Sequence, residues 1–250
     1  EKGLNLLQER KTSQHYRLGK SKPIKVPERA SPELAKFMAC LIAEGHEQKI
    51  TETNYRIIFT NNDEQLLEDF QSLGKGLFDI QFSKMDENSV YSNSRALERF
   101  LQENGYATAQ NSFHKDIPNF ILASSQATVE SFLATYYDCE GNVTDQQIEL
   151  TTASKEIADK INYMLLRFGI VGRTTEKQKY ASNTEEKKVI TYFQVTISGS
   201  KNLTRFKNKI GFNMDRKQER LNGIVKSGNT NVDTVPAGEF ISEGPESTNT

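Results

Sequence analysis

Two stretches of the chain follow the same pattern of apolar and small residues, and each ends in Glu-Gly. They are residues 37–45 and 133–141, and one offset of 96 positions (140 − 44) relates them. Small side chains recur every fourth position, at Ala35, Ala39 and Ala43 and at Ser131, Thr135 and Cys139. Because residues four apart share one helix face, small side chains there let two helices approach closely. The pattern predicts two packed helices whose last residues, Glu44 and Glu140, lie side by side.

The paired glutamates are the first candidates for chemistry. A single glutamate at a helix end before glycine is usually a solvated carboxylate. Two at matched positions of a repeated helix favour a shared site, because neighbouring carboxylates repel each other unless a cation lies between them. The sequence therefore indicates a divalent metal bound by Glu44 and Glu140.

The hydrophobic pattern predicts one order of elements used twice. After a first helix that begins at Ser31-Pro32, we expect a strand at 55–59, a helix from 62 to about 73, strands near 77–82 and 89–91, and a helix at 94–103. After a second helix that begins near Ser125 or Thr128, we expect a strand at 147–151, a helix at 154–168, strands near 170–175 and 189–197, and a helix near 201–209. This repeat predicts an α+β fold, a pseudo-symmetric tandem of two halves with two antiparallel sheets.

Charge and composition mark out the remaining segments. Residues 1–30 hold eight Lys/Arg against three acids, whereas residues 227–250 hold four acids and no Lys/Arg. The predicted organisation is a basic lead-in at 1–30, the first half at 31–124, the second half at 125–226 and a flexible tail at 227–250. The basic lead-in fits phosphate contacts and a solvated arm equally well.

The net charge of −1 does not indicate nucleic-acid binding. If the chain binds DNA, its basic residues must be concentrated on one face. There is no apolar run long enough to span a membrane and no signal peptide, and we expect a location in the cytoplasm or an organellar matrix. Cys40 and Cys139 occupy different motif positions, which predicts buried free thiols rather than a disulfide. His15, His46 and His114 lack metal-ligand spacing, so no zinc site is expected.

The two Glu-Gly helices resemble the paired motifs of the LAGLIDADG homing endonucleases. The third motif position is Ala39 or Thr135, where glycine is typical, and the acidic position is glutamate in both copies. The resemblance implies the family's tandem αββαββα fold, in which two sheets form a saddle over the DNA major groove. It also implies a monomer that cleaves both strands of a long, specific double-stranded target.

The same resemblance implies a metal chemistry and a ligand set. Mg²⁺ ions bind between Glu44 and Glu140, with backbone carbonyls of Ala43 and Cys139 as further ligands. Mn²⁺ is expected to substitute for Mg²⁺, and Ca²⁺ to bind without supporting cleavage.

Two lysines are candidates for stabilising charge at the phosphate. The segment from Lys115 to Pro118 resembles the Lys-x-Ile-Pro segment of intein-type members, and Lys115 precedes Glu140 by 25 residues (140 − 115). Lys217 is the pseudo-symmetric candidate, although its distance from the preceding Gly-aromatic pair differs from that of Lys115. For Lys115 the alternative is an exposed loop lysine without a role in the chemistry.

Alternate side chains of the strands supply the predicted DNA-reading surface. The candidates are Asn54, Arg56, Gln81, Lys84, Tyr91, Gln147, Glu149, Arg173, Lys177, Lys179, Lys188, Tyr192 and Gln194. Arg56 and Arg173 are the first choices for guanine or phosphate contacts. Many of these positions also fit an ordinary solvated sheet.

Three alternatives stay open. A regulator or RNA maturase of the same fold binds nucleic acid without cutting, although such proteins usually lose a motif acid. A structural or interaction protein leaves the paired acids unexplained. The setting is an intein-derived segment or a free-standing intron-encoded enzyme. We expect no protein splicing, since residue 1 is no nucleophile and Asn249 follows threonine.

Overall fold

The computed structural model describes residues 15–16, 22–51, 54–106, 113–180 and 189–227. The predicted tail from residue 228 onward and most of the basic lead-in lie outside these residues, as does Lys188. Two short strands of the lead-in, β1 (His15–Tyr16) and β2 (Ile24–Lys25), pair antiparallel. In the part of the chain that is described, no helix combines the length and the apolarity that crossing a membrane requires.

The first half contains three helices and a four-stranded antiparallel sheet. Its elements are α1 (Pro32–Glu44), β3 (Gly45–Thr51), β4 (Asn54–Thr60), α2 (Glu64–Phe78), β5 (Ser83–Lys84), β6 (Ser89–Ser92) and α3 (Arg95–Glu103). The sheet order is β3-β4-β6-β5. The short helix α4 (Asn119–Leu122) lies in the segment that leads to the second half.

The second half repeats this arrangement. Its elements are α5 (Gln126–Glu140), β7 (Gly141–Val143), β8 (Gln147–Thr152), α6 (Lys155–Leu166), β9 (Arg173–Tyr180), β10 (Val189–Ser198), α7 (Ser200–Lys209) and α8 (Asp215–Ser227). Its sheet order, β7-β8-β10-β9, places the four strands as in the first half. The predicted α+β tandem repeat with two antiparallel sheets is confirmed.

The two motif helices begin and end as the sequence predicts. Ser31 caps α1 by accepting the Leu34 N–H at 3.2 Å, and Ser125 caps α5 by accepting the Thr128 N–H at 3.4 Å. At the other end, a Cβ on Gly45 would lie 2.5 Å from the Leu41 carbonyl oxygen. A Cβ on Gly141 would meet the Tyr137 carbonyl oxygen at the same distance. Glycine is therefore needed where each helix turns directly into the first strand of its sheet.

Helices α1 and α5 pack against each other at the centre of the protein. Between Leu34 and Ile42, every residue of α1 except Lys36 is buried. A helix that is apolar on all sides is typical of a position between two layers, and here α1 contacts α5 on one side and α2 on another. Phe37 stacks on Phe70 of α2 with ring centroids 4.7 Å apart. Both cysteines are free thiols, but only Cys40 is buried as predicted; Cys139 is half-buried and hydrogen-bonds Cys40 across the helix pair.

The positions of several elements differ from those that the hydrophobic pattern predicts. The strand predicted near 77–82 is wrong, because α2 continues to Phe78 and the paired strand is Ser83–Lys84. The alternating buried residues Phe78, Ile80 and Phe82 explain the error, since they imitate a half-buried strand. The αββαββα resemblance implies strands β3 and β7, but the hydrophobic pattern did not locate them; helices α4 and α8 were not expected. Strand β3 is largely polar and exposed, which hides the apolar alternation of a strand.

Candidate active site

The carboxylates of Glu44 and Glu140 come together at the shared end of α1 and α5. Each is the last residue of its helix, and the next residue begins the first strand of a sheet. Burial and the neighbouring charge of Glu44 raise the pKa of Glu140 to about 7. Burial also raises the pKa of Glu44. Helix pairing has thus brought together two acids whose ionised forms are disfavoured without a cation.

Asn61 holds Glu44 through a contact that no sequence pattern predicts. The Asn61 side-chain amide donates a hydrogen bond to Glu44 Oε2, and its Oδ1 accepts the Asp63 N–H at 2.8 Å. Asn61 lies two residues before Asp63, the N-cap of α2. Thr152 lies two residues before Ser154, the N-cap of α6, and therefore takes the corresponding place in the second half. The two carboxylates consequently have different neighbours.

Lys115 reaches the end of α1 from the segment between the halves. Its Nζ donates to the Gly45 carbonyl at 2.8 Å and to the Ala43 carbonyl at 3.2 Å. Burial lowers the pKa of Lys115, whereas Glu140 and Glu44 raise it. The structure therefore brings this predicted lysine to both acids.

Lys217 takes the matching place at the end of α5. Its Nζ donates to the carbonyls of Gly141 at 2.6 Å, Asp138 at 2.5 Å and Tyr137 at 3.1 Å. Burial lowers the pKa of Lys217, and Asp138 is the main opposing charge. Lys217 is spaced differently from Lys115 along the chain, but it lies on helix α8, which packs at the end of α5 and places the Lys217 ammonium at the site.

Asp138 holds the start of α8 in position and was not among the predicted residues. Its Oδ2 accepts the Asn213 N–H at 3.1 Å and the Asn213 side-chain amide at 2.7 Å, and its Oδ1 accepts the Met214 N–H at 3.2 Å. The side chain is buried, and burial raises the pKa of Asp138. The sequence did offer a signal for this role, because Asp138 is an acidic residue within an otherwise apolar stretch of α5.

Equivalent helix-end carbonyls receive different donors in the two halves. The Tyr106 hydroxyl donates to the Leu41 carbonyl at 3.2 Å. The corresponding carbonyl in α5 belongs to Tyr137 and accepts from Lys217 at 3.1 Å. Phe212, which follows glycine as Tyr106 does, has no hydroxyl, and its ring centroid lies 6.0 Å from the Lys217 ammonium.

A cleft of about 180 Å³ lies beside Glu140. Its lining includes Ala43, Lys115, Tyr136, Glu140, Thr152 and Tyr192. It is bounded by both motif helices and by the second sheet, so Glu140 and Lys115 face a space that a small group can enter.

The oxygen atoms that meet at the site are suitable ligands for a hard divalent cation. Two carboxylates and the adjacent helix-end carbonyls are oxygen ligands, the kind that Mg²⁺ and Ca²⁺ prefer. Among the described residues, no cluster of three or more His, Cys, Asp or Glu side chains forms. The carbonyl of Ala43, one of the two predicted backbone ligands, accepts a hydrogen bond from Lys115, which would compete with a metal for that oxygen.

The open face of the second sheet gathers most of its predicted DNA-reading residues. In β8 and β10, Ile148, Leu150, Val195 and Ile197 are buried, so the alternate positions face away from the core. The register aligns Glu149, Thr196 and Arg173 across three strands, and Thr151, Gln194 and Thr175 beside them. Gln194 is nevertheless buried between its neighbours, which counts against its predicted role in reading DNA. The same face includes Gln147, Lys177 and Tyr192, and the register position of Lys179.

The first sheet presents a smaller set on its open face. Arg56 Nε donates to Asn93 Oδ1 at 3.2 Å, and its guanidinium lies 4.3 Å from the centroid of the Tyr91 ring. Lys84 lies opposite buried Val90 in the strand pairing, so it is on the helix-covered side of the sheet. Its predicted place on the open, DNA-reading face is therefore wrong. Gln81 is exposed but precedes β5, and Asn54 begins β4.

Comparison with known proteins identifies relatives of this arrangement. A family model described as a LAGLIDADG-like domain matches residues 127–211, which run from α5 past the end of α7. The replication factor C small subunit of Methanocaldococcus jannaschii is 36% identical over 210 residues, 81% of this chain and 11% of that protein. The glutamine–fructose-6-phosphate aminotransferase of the same organism is 26% identical over 220 residues, 84% of this chain and 19% of that protein. The chain therefore spans less than a fifth of either relative.

Solved structures share the fold. The homing endonuclease I-DmoI in complex with DNA and Mn aligns with a TM-score of 0.50 and 16% identity, covering 73% of this chain and 97% of that one. The same enzyme with DNA and Ca gives a TM-score of 0.50 and 16% identity, covering 73% and 91%. Residues 127–211 therefore match a LAGLIDADG-like domain, and the chain shares its fold with the homing endonuclease I-DmoI.

Proposed function

We propose that this chain is a site-specific endonuclease that hydrolyses both strands of double-stranded DNA. One observation carries the proposal: the apposed carboxylates of Glu44 and Glu140, each with a lysine held at its helix end, lie where the first strand of each sheet begins. Since each half contributes one acid and one lysine, a single chain supplies both half-sites and is proposed to act as a monomer. Basic side chains on the open sheet faces support a long DNA contact.

Divalent metal ions are the proposed cofactors, held by Glu44 and Glu140. Bound Mg²⁺ would polarise the scissile phosphates and lower the pKa of the attacking water. Lys115 and Lys217 would add fixed positive charge beside the reacting phosphates, and their carbonyl contacts fix where that charge lies. The I-DmoI complexes with Mn and with Ca support the expectation that Mn²⁺ substitutes and that Ca²⁺ occupies the site.

The relatives favour an endonuclease carried inside host proteins over a free-standing enzyme. The similar stretch makes up 11% and 19% of two proteins whose names denote unrelated functions. An inserted mobile element produces this distribution. The proposed target is therefore a host gene at the point where the element is inserted.

Cleavage of a randomised target library tests the proposal. Wild type should cut both strands only with Mg²⁺ or Mn²⁺, and Glu44→Gln and Glu140→Gln should abolish cutting while DNA binding in Ca²⁺ persists. Glu130→Gln, an exposed acid on α5, is the matched control and should cut normally. A wild-type protein that binds its selected DNA and never cuts it would instead support a non-cleaving regulator or RNA maturase.

A further inference from the structure

The segment that joins the two halves is held by helix α6 of the second half. Lys160 of α6 donates three hydrogen bonds to it: to Asp116 Oδ2 at 2.7 Å, to the Ile117 carbonyl at 2.7 Å and to Asn119 Oδ1 at 3.4 Å. The other carboxylate oxygen of Asp116 accepts the Ile117 N–H at 2.7 Å. One ammonium group thus fixes three neighbouring polar groups of the segment and neutralises its carboxylate.

A second basic side chain of the same helical region holds the far end of the segment. Arg167, which caps α6, donates to the Leu122 carbonyl at 3.0 Å and to the Ser124 carbonyl at 2.9 Å. The end near the candidate active site therefore depends on Lys160, and the end near α5 depends on Arg167.

Lys115 immediately precedes the residues that Lys160 binds. It lies outside any helix or strand, so no repeating backbone hydrogen bonds fix its position. Its Nζ nevertheless reaches the Ala43 and Gly45 carbonyls beside Glu44. Fixing a long lysine side chain costs rotamer entropy. Because no helix or strand holds the backbone of Lys115, contacts from neighbouring elements must hold it instead.

We infer that Lys160 is a positioning residue for the endonuclease reaction: it anchors the segment at Asp116 so that Lys115 stays beside the paired carboxylates. The inference rests on the proposed function, because it holds that Lys160 of the second half supports Lys115, the active-site lysine of the first half. The Lys160–Asp116 ion pair is partly shielded, with side-chain exposures of 22% and 43%. The three hydrogen bonds of Lys160 go to the joining segment rather than to Glu44 or Glu140, so Lys160 acts through Lys115.

The first test compares two lysines of α6 that each pair with an aspartate. Lys160→Met should lower kcat about 10- to 100-fold and leave KM for the DNA unchanged, because the sheets are untouched. Lys160→Arg, which keeps the charge and several donors, should restore most of the rate. Lys155→Met removes the exposed pair with Asp159 on the same helix and should cleave as wild type does. A Lys160→Met enzyme with unchanged kcat would overturn the inference.

A double-mutant cycle separates positioning from general loss of structure. If Lys160 acts through Lys115, then Lys160→Met should add little to the defect of Lys115→Met. Equal fold-losses from Lys160→Met in the wild-type and Lys115→Met backgrounds would show independent action and refute the assignment.

Chemical labelling tests the contact without relying on activity. Acetylation of the folded protein with acetic anhydride, followed by peptide mass spectrometry, reports how accessible the Lys115 amine is. Lys160→Met should raise the labelling rate of Lys115 several-fold, and Lys155→Met should not. If wild type never cleaves DNA, the proposed function fails while this measurement still decides whether Lys160 positions Lys115; an unchanged labelling rate would count against it.

Discussion

The side-chain amide of Asn61 donates a hydrogen bond to Oε2 of Glu44. In the second half, Thr152 takes the corresponding place and hydrogen-bonds Tyr136. Glu44 therefore has an oriented neutral donor, whereas Glu140 is balanced mainly by the charges of the two lysines. Two acids at equivalent helix ends are held by different physical means.

Asn61→Ala should weaken the proposed metal site more at low pH than at high pH. The hydrogen bond from Asn61 lowers the pKa of Glu44 against the effect of burial, so its loss raises that pKa further. A protonated carboxyl binds metal poorly, and the Mg²⁺ concentration for half-maximal cleavage should increase about tenfold at pH 6 and less at pH 8. Exposed Asn62→Ala is the matched control. Equal effects at both pH values would contradict this mechanism.

Glu140→Gln should stabilise the metal-free protein at alkaline pH. The folded-state pKa of about 7 lies above the ordinary value of 4.5, so the wild-type stability from this group is present below pH 4.5 and is lost as pH rises through 7. Glutamine does not ionise, and its advantage should grow to roughly 2 kcal/mol at pH 8. Urea unfolding in EDTA at several pH values measures it. Glu130→Gln should give a flat difference, and a flat difference for Glu140→Gln would rule out the raised pKa.

The adjacent tyrosines of α5 should respond in opposite directions to loss of the hydroxyl. Tyr137 Oη is buried without a hydrogen-bond partner among the described residues, whereas Tyr136 hydrogen-bonds Thr152. Removing an unpaired buried hydroxyl relieves a desolvation cost, so Tyr137→Phe should raise the free energy of unfolding by about 1 kcal/mol. Tyr136→Phe should lower it by a similar amount. Destabilisation by Tyr137→Phe in urea unfolding would show that its hydroxyl has a partner.

Alanine at Gly45 should reduce both stability and cleavage. The added Cβ would lie 2.5 Å from the Leu41 carbonyl oxygen, and the backbone shift that relieves this displaces Glu44. We expect a loss of roughly 1–3 kcal/mol in the free energy of unfolding. Gly76→Ala on α2 meets nothing within 4 Å and should stabilise by about 0.5–1 kcal/mol. Thermal unfolding of the two variants side by side decides between these outcomes.

Charge removal on the open face of the second sheet should weaken DNA binding in a salt-dependent way. Arg173 and Lys177 are exposed and share that face. If Lys177 contacts a phosphate, Lys177→Gln should reduce the slope of log K against log salt by about one, uniformly across sequences. Arg173→Gln should also relax base preference if it reads a base edge. Arg99→Gln, on helix α3, should change neither quantity.

The periodic parts of this protein could be predicted from its sequence. Ser31 and Ser125 indicated where the two helices start, because an N-cap needs a side-chain acceptor. Gly45 and Gly141 indicated where they end, because a Cβ at either position would clash with the helix backbone. Lys217 could be nominated from symmetry, but its path back to the site depends on helix α8.

Other features depend on tertiary contacts that leave no local pattern. Nothing near Asn61 indicates that its amide meets a carboxylate 17 residues away (61 − 44). Asp138 needs the loop before α8 to explain it, and Lys160 needs the segment around Asp116. The hydrophobic pattern did not locate strands β3 and β7, because pairing with one neighbour at a sheet edge does not require an apolar face.

The exchange of Tyr106 for Lys217 as the donor to a helix-end carbonyl limits how this protein can be re-engineered. A symmetric dimer built from two copies of the first half would carry a hydroxyl at both places and would need the Lys115 segment, whose anchor Lys160 is absent from that half. A dimer of the second half would keep Lys217 with its own support, Asp138. The second half is therefore the better starting module for a symmetric form of the proposed endonuclease, and chimaeras should transfer the joining segment together with α6.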